Sequence, residues 1–391
     1  MISSIRVSNY KSLGKDVAIR FGRLTVLVGQ NGAGKSNVVD VIRFVSDSLA
    51  LGLDAAITKR GGIGALRRWG YGRPFNMTID VEVSNSLGVG EWSLELSGEN
   101  KGDYRVRREH GKFRGLSSAA EYEVKDGRWV SGPEGLMPRV DPQSVALQAV
   151  GGDQRLAPLA RELRDCVVYS IFPDKLKELQ APDVARPMRE HGENWCSVFR
   201  DVLKGDSRQE VLSVLGQVTG DIDDSYVRRV GNHLVAGFRH GGAVQPSGKA
   251  RERWFSAVQE SDGTLRVAGI LTALTQEPLP VLVGIEEPEL TLHPGVLPLL
   301  AEQLSDASRR CQVVVTTHSP DLLDRFDADH VRVLSRNQGV TTATRLDEGQ
   351  RQAVRSKLFS LGELMRCEGL LSGEPDLFAP ASLGGGSVPG E

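Results

Sequence analysis

The chain has 391 residues, 40% hydrophobic and 25% charged, which is ordinary for a globular protein of two or three domains and excludes a fibre or a wholly disordered polymer. A formal net charge of -2 supplies no global field to hold it on nucleic acid or an acidic membrane, so any such contact has to come from a local patch. No window approaches the roughly 18 apolar residues of a membrane span, and the start, MISSIRVSNYKSLG, carries charges where a signal peptide has its apolar core. The four cysteines, Cys166, Cys196, Cys311 and Cys367, lack the close pairing of a zinc or thiol redox site, so reduced thiols in a cytoplasmic setting are the expectation.

In chain order, three short strand-like runs come first: SIRVSNY, DVAIRF and LTVLVG. A glycine-rich loop follows, and then a helix with Val38, Val39, Ile42, Val45 and Leu49 at helical spacing. From Phe75 to Val130 the pattern changes to period two, which predicts an antiparallel meander. Residues 155 to 235 read as mainly helical, including LAPLARELRDCVV and SRQEVLSVLGQVTG. The polar HGGAVQPSGKARER reads as a loop and the final APASLGGGSVPGE as a flexible tail. Between them, the strands LPVLVGIEE and RCQVVVTTHS, joined by the helical PGVLPLLAEQLSD, predict a parallel pair. The residues after Asp327 give two strands and a helix, too few for an appended nuclease domain of about 100 residues or more.

The loop GQNGAGKS comprises Gly29, Gln30, Asn31, Gly32, Ala33, Gly34, Lys35 and Ser36, fits GxxxxGK[ST] without a mismatch, and lies between a predicted strand and a predicted helix. Glycines at this spacing let backbone N–H groups surround phosphate oxygens, while the helix N-terminus adds positive potential. Lys35 is the expected partner of the β- and γ-phosphates and the Ser36 hydroxyl the expected magnesium ligand. In VLVGIEEPELTLHP, Glu286 and Glu287 close an apolar strand, where carboxylates are rare without a partner. A nucleotide-bound magnesium supplies that partner for Glu286. Pro288 bends the chain so that Glu287 can reach the γ-phosphate side as the base that orients water.

With these elements in place, QESDGTLRVAGILTAL resembles the signature motif and following helix of ATP-binding cassette ATPases, with Ser261, Asp262 and Gly263 where Ser-Gly-Gly is usual. VLVGIEEPELTLHP resembles their Walker B strand and D-loop (Leu290 to Pro294, including His293), and VVVTTHSPDLLD their switch strand with His318. The ordered set, with SIRVSNYKSLGK and the GKSN that ends at Asn37, resembles the RecF, SMC and OLD-like ATPases of the AAA-21 type over residues 1 to 84 and 255 to 335. The resemblance implies an α/β fold: a P-loop NTPase, specifically an ABC-ATPase head with a mixed central sheet, an antiparallel β meander and an inserted mainly helical subdomain. The corresponding divisions are 1–154 for the first part of the head, 155–249 for the insert, 250–372 for the second part and 373–391 for the tail. It also implies ATP and Mg2+ as ligands, and an ATP-dependent homodimer in which Ser261, Asp262 and Gly263 serve the nucleotide of a second subunit. His318 then reports the γ-phosphate. Gln148, in SVALQAV after the meander, is the positional candidate for the Q-loop glutamine. Glu286 departs from the aspartate of transporter cassettes, whereas the OLD-like relatives share Glu-Glu-Pro-Glu.

Three functions compete. The first is a cytoplasmic ATPase of DNA repair or phage defence working with a separately encoded effector nuclease. The second is a nucleotide-controlled scaffold with little hydrolysis, and the third a transporter subunit. The 224 residues between Ser36 and Ser261 argue against the transporter, as does the long meander. For DNA, the stretch from Ala55 to Ile79 offers Lys59, Arg60, Arg67, Arg68 and Arg73 with Trp69 and Tyr71 and no acid, a surface for phosphates and bases or equally a solvated loop.

Overall fold

The computed structural model describes residues 1–68, 76–100, 103–116, 118–241 and 253–375. Its centre is a seven-stranded mixed sheet. In spatial order the strands are Ser372–Pro375, Val340–Leu346, Val331–Asn337, Leu24–Val28, Gln312–Thr316, Leu282–Glu286 and Cys166–Tyr169. The middle strands run parallel, with Val313 beside Leu24 and Leu282 beside Gln312. Both faces are covered, so LTVLV and QVVVT are buried at every position, as parallel strands require.

On one face lies the helix Lys35–Ala50, whose Val38, Val39, Ile42, Val45 and Leu49 enter a core shared with a second, antiparallel sheet. That sheet joins Ile2–Ser8 and Val17–Arg20 to the meander Met77–Asn85, Gly88–Asn100, Asp103–Gly115, Ala119–Lys125 and Arg128–Ser131. Met77–Asn85 alternates buried and half-buried residues, matching the period-two reading. A carboxylate, Glu109, is enclosed within this sheet. It accepts from Trp92 Nε1 (3.1 Å), the Tyr122 hydroxyl (2.6 Å) and the Ala146 and Leu147 amides (2.5 and 2.9 Å), so it caps a short helix and fastens it to the meander.

The other face of the central sheet carries the helices Asp262–Thr275 and Leu297–Arg310 in a second core with Val283, Val313 and Val315. Asp262–Thr275 is apolar around nearly its whole circumference and is enclosed accordingly.

Three segments differ from the sequence expectation. CVV, read as the end of a helix, belongs to the strand Cys166–Tyr169 after a helix that stops at Arg164, and it pairs with Leu282–Ile285 at the sheet edge. A four-residue apolar run carries no period long enough to separate the two states. Inside the range read as helical, Arg208–Thr219 is helical and ends on Gly220 at φ 84. Beyond it, however, Ile222–Val230, His233–His240 and Arg253–Ser256 form a three-stranded antiparallel sheet in which His240 stands directly opposite Arg253. The tail division expected at residue 373 falls inside the strand Ser372–Pro375, which pairs with Val340–Leu346. The rest of the tail lies outside the described residues, as does most of HGGAVQPSGKARER.

Candidate functional site: the phosphate loop and the acidic turn

The phosphate loop leaves the strand Leu24–Val28 and enters its helix at Lys35. Gly34 adopts φ 105, and a Cβ there would lie 2.4 Å from Thr341 Oγ1, so only glycine fits both the turn and the close approach. Lys35 Nζ donates to the Gly29 and Gln30 carbonyls at 3.0 and 3.3 Å. Burial pushes its ammonium down from the usual lysine value, opposed by the nearby charges of Glu287 and Glu289.

A cavity of about 370 Å3 opens over this loop, lined by Asn31, Gly32, Gly34, Lys35, Ser36, Asn37, Glu287, His318 and Arg336. Gln30 and Ala33 line an adjoining cavity of about 690 Å3 that reaches Met365 and Leu370. Glu287 has φ 44, which swings its side chain off the strand direction and into the smaller cavity. There its Oε1 lies 3.7 Å from His318 Nε2. Burial and the adjacent Lys35 charge hold His318 below the ordinary imidazole value, so near neutral pH it is a neutral donor or acceptor.

Glu286 goes elsewhere. Its carboxylate accepts from Arg43 Nη2 at 2.6 Å and the Ser170 hydroxyl at 2.5 Å, and it is not part of the cavity wall. Arg43, on the phosphate-loop helix, also pairs with Glu190 at 3.0 Å. Gln148 is likewise away from the site: it is exposed beside Gly52, beyond the far end of the phosphate-loop helix, about 24 Å of helix from Lys35. The segment that borders the end of the acidic strand is Tyr169–Ser170, with Tyr169 opposite Ile285.

The acidic turn is gripped from several sides. The Glu287 amide donates to Thr316 O at 2.9 Å, Arg266 Nη2 donates to Glu287 O at 2.8 Å, and Glu289 Oε1 accepts from the Thr317 hydroxyl and the His318 amide at 2.6 and 3.0 Å. Sequence reading missed Arg43, Ser170, Arg266, Glu289 and Arg336 as site residues. Glu289 had a signal, as the third acid of EEPE, whereas the others depend on tertiary placement.

Ser261, Asp262 and Gly263 start the buried helix outside the cavity. Ser261 Oγ accepts from the Thr264 amide at 3.1 Å, Lys177 holds Asp262 at 2.5 Å, and a Cβ on Gly263 would lie 3.1 Å from Thr291 O of the D-loop. Before them, Glu260 pairs with His240 Nε2 at 2.9 Å while Asp221 takes Nδ1 at 3.0 Å. His293 N-caps its own short turn by accepting from the Gly295 amide.

The basic stretch is largely internal in use. Arg60 pairs with Asp40 and Asp47, Lys59 with Asp47 and Glu190, and Arg67 donates to Gly98 O. Trp69, Tyr71 and Arg73 lie outside the described residues.

The donor set fits a phosphate-bound magnesium: the Ser36 hydroxyl and a nearby carboxylate are available, and this ion takes one or two protein ligands with the rest from phosphate and water. No cluster of three or more His, Cys, Asp or Glu side chains that could hold a metal ion occurs among the described residues.

A family model described as "AAA domain, putative AbiEii toxin, Type IV TA system" matches residues 243–324, and one described as "AAA ATPase domain" matches residues 1–64. The chromosome partition protein Smc of Halothermothrix orenii is 41% identical over 61 residues, 15% of this chain and 5% of that protein. Thus the chain spans only a small part of the length of this curated relative. An Smc head bound to the C-winged helix domain of ScpA superposes with a TM-score of 0.53 at 14% identity, covering 89% of this chain and 99% of that one. An Smc head with an extended coiled coil, bound to the C-terminal domain of ScpA derived from Pyrococcus furiosus, gives 0.51 at 12% identity, covering 91% and 99%. The fold is therefore that of an SMC ATPase head, a P-loop NTPase. Together with the two AAA matches, over residues 1–64 and 243–324, it makes the chain similar to SMC/RecF-like AAA ATPases. No helix among the described residues is long and apolar enough to cross a membrane.

Proposed function

We propose that the chain binds and hydrolyses ATP and dimerises around it. One observation carries this reading: Lys35, Ser36, Glu287 and His318 face one cavity over the phosphate loop, while Ser261, Asp262 and Gly263 stand outside it. Lys35 would hold the β- and γ-phosphates, Ser36 a magnesium ion, Glu287 the attacking water and His318 the γ-phosphate. A bound magnesium would spread the charge of the phosphates. Ser261 and Asp262 are exposed and would meet the nucleotide of a second copy, which makes each site complete only in a symmetric dimer.

Glu287→Gln keeps the size and removes the base. ATP should still bind, turnover should fall by about 100-fold or more, and an ATP-dependent dimer should accumulate in light scattering. Unimpaired turnover would refute the assignment.

The proposed cellular role is DNA maintenance or phage defence with a separately encoded effector. It is supported by the likeness to a chromosome partition protein and to an AAA domain described as a putative AbiEii toxin. A pull-down with the Glu287→Gln protein in ATP would identify the partner; recovery of membrane permease subunits instead would count for the transporter reading. A second reading, a nucleotide-controlled scaffold with slow turnover, is favoured by the diversion of Glu286 to Arg43.

A further inference from the structure

Glu289 lies two residues past the proposed base, at the start of the D-loop turn, and reaches across to the end of the neighbouring strand. Its Oε1 takes two donors at once, the Thr317 hydroxyl at 2.6 Å and the His318 amide at 3.0 Å. Thr317 Oγ1 then accepts from the Ser319 amide at 2.9 Å, so one carboxylate orders three consecutive residues centred on the switch histidine. The same residue anchors the D-loop, since its carbonyl accepts from the Leu292 amide at 3.0 Å. Its second oxygen, Oε2, is buried with no hydrogen-bond partner among the described residues. A buried carboxylate oxygen left without a donor is costly, and the charge of Glu289 is felt by two buried cations, Lys35 of the phosphate loop and Arg266 of the signature helix.

We infer that Glu289 is the positioning residue for His318: it fixes the backbone of the switch segment so that the imidazole meets the nucleotide cavity, and it ties that segment to the D-loop. The chemistry requires an acceptor at this place rather than a base. Among the described residues the His318 amide has no other hydrogen-bond acceptor, and the ring itself lies 3.7 Å from Glu287, beyond hydrogen-bond range. Glu289 is not itself part of the cavity wall. Its effect passes through Thr317 and His318. Movement of the D-loop, the element that packs on Gly263 of the signature, is thereby transmitted to the switch without any contact to the nucleotide.

The inference rests on the proposed ATPase reading for its kinetic arm, so the test pairs kinetics with a nucleotide-free measurement. Glu289→Ala removes both acceptors, whereas Glu289→Gln retains the oxygen that receives Thr317 and His318. With the full chain, hydrogen exchange of the peptide spanning Val315–Ser319 should rise by about tenfold in Glu289→Ala and stay near wild type in Glu289→Gln. For ATP turnover, kcat should fall by about 30-fold or more in Glu289→Ala, with KM changed less than about threefold, and the Gln variant should recover most of it. Should Glu289→Ala fail to fold, Thr317→Val removes the hydroxyl donor from the opposite side and should raise exchange at Ser319 and lower kcat in the same way. Unchanged exchange together with unchanged kcat in Glu289→Ala or Thr317→Val overturns the inference, as does a Gln variant as impaired as Ala. A wild-type chain without turnover removes the ATPase reading alone, because the exchange comparison still decides the placement of His318.

Discussion

Arg43 and Glu286, 243 positions apart in sequence, form a half-buried ion pair at 2.6 Å that joins the phosphate-loop helix to the end of the acidic strand. The pair sets Glu286 apart from its neighbour Glu287. One acid is bound to the protein and the other faces the cavity.

If Glu286 serves the metal, it has to leave Arg43. Arg43→Met keeps the apolar stem and removes the competitor, so the magnesium concentration needed for half-maximal ATP binding should fall by about three- to tenfold, worth about 1 kcal/mol or slightly more. ATP titrations at stepped magnesium concentrations measure this. An unchanged magnesium dependence assigns Glu286 to a purely architectural place.

The trans arrangement predicts complementation. Ser261→Asp keeps a good helix cap while placing a negative charge at the γ-phosphate of the opposing copy, and Lys35→Ala empties the protein's own site. Each alone should be inactive. An equal mixture should regain about one quarter of wild-type turnover, because half of the dimers then hold one intact site. No recovery in mixtures shown to contain mixed dimers rules out sites shared between copies.

His240 gives the signature segment a pH dependence. Burial lowers its pKa, but the hydrogen bonds and charges of Glu260 and Asp221 more than offset this, leaving it raised. A raised folded value means that its stabilisation is fully present below the ordinary histidine value of about 6.5 and is lost as pH rises through the folded value. The melting temperature of wild type should therefore exceed that of His240→Gln at pH 6, and the gap should shrink as pH rises above neutrality. A gap that grows with pH contradicts the pairing.

Glu109 is the clearest stability lever. Burial pushes its carboxyl up while four donors, from Trp92, Tyr122, Ala146 and Leu147, favour its ionised form. Glu109→Leu strands all four donors and should cost about 3 to 5 kcal/mol in denaturant unfolding, without touching the nucleotide cavity. A loss under about 1 kcal/mol would mean that the donors find other partners.

The phosphate loop was legible because its chemistry is local: fixed spacing, glycines for the turn, then a helix with a regular apolar face ending near Leu49. The parallel pairing of Leu282–Glu286 with Gln312–Thr316 was legible from two buried runs bracketing one helix. The placement of Glu287 beside the phosphate loop was legible from the bend expected at Pro288, which the structure realises as φ 44 at Glu287. That of its neighbour was not, since the capture of Glu286 by Arg43 and Ser170 depends on three segments meeting, none of which announces the others. Gln148 was assigned by order along the chain, and chain order does not show that its helix packs at the distal end of the phosphate-loop helix. The strand Cys166–Tyr169 was hidden by its brevity.

The direct opposition of His240 and Arg253 has a practical meaning. Two strand ends held side by side, about 5 Å apart in a ladder, offer a place for foreign sequence: a module whose own ends are adjacent can be grafted between them, in a sheet separate from both seven-stranded sheets. Because Arg253–Ser256 runs directly into the turn before Ser261, such a graft acts as a handle on the signature helix, one that a fluorophore pair or a pulling experiment can grasp from outside the head.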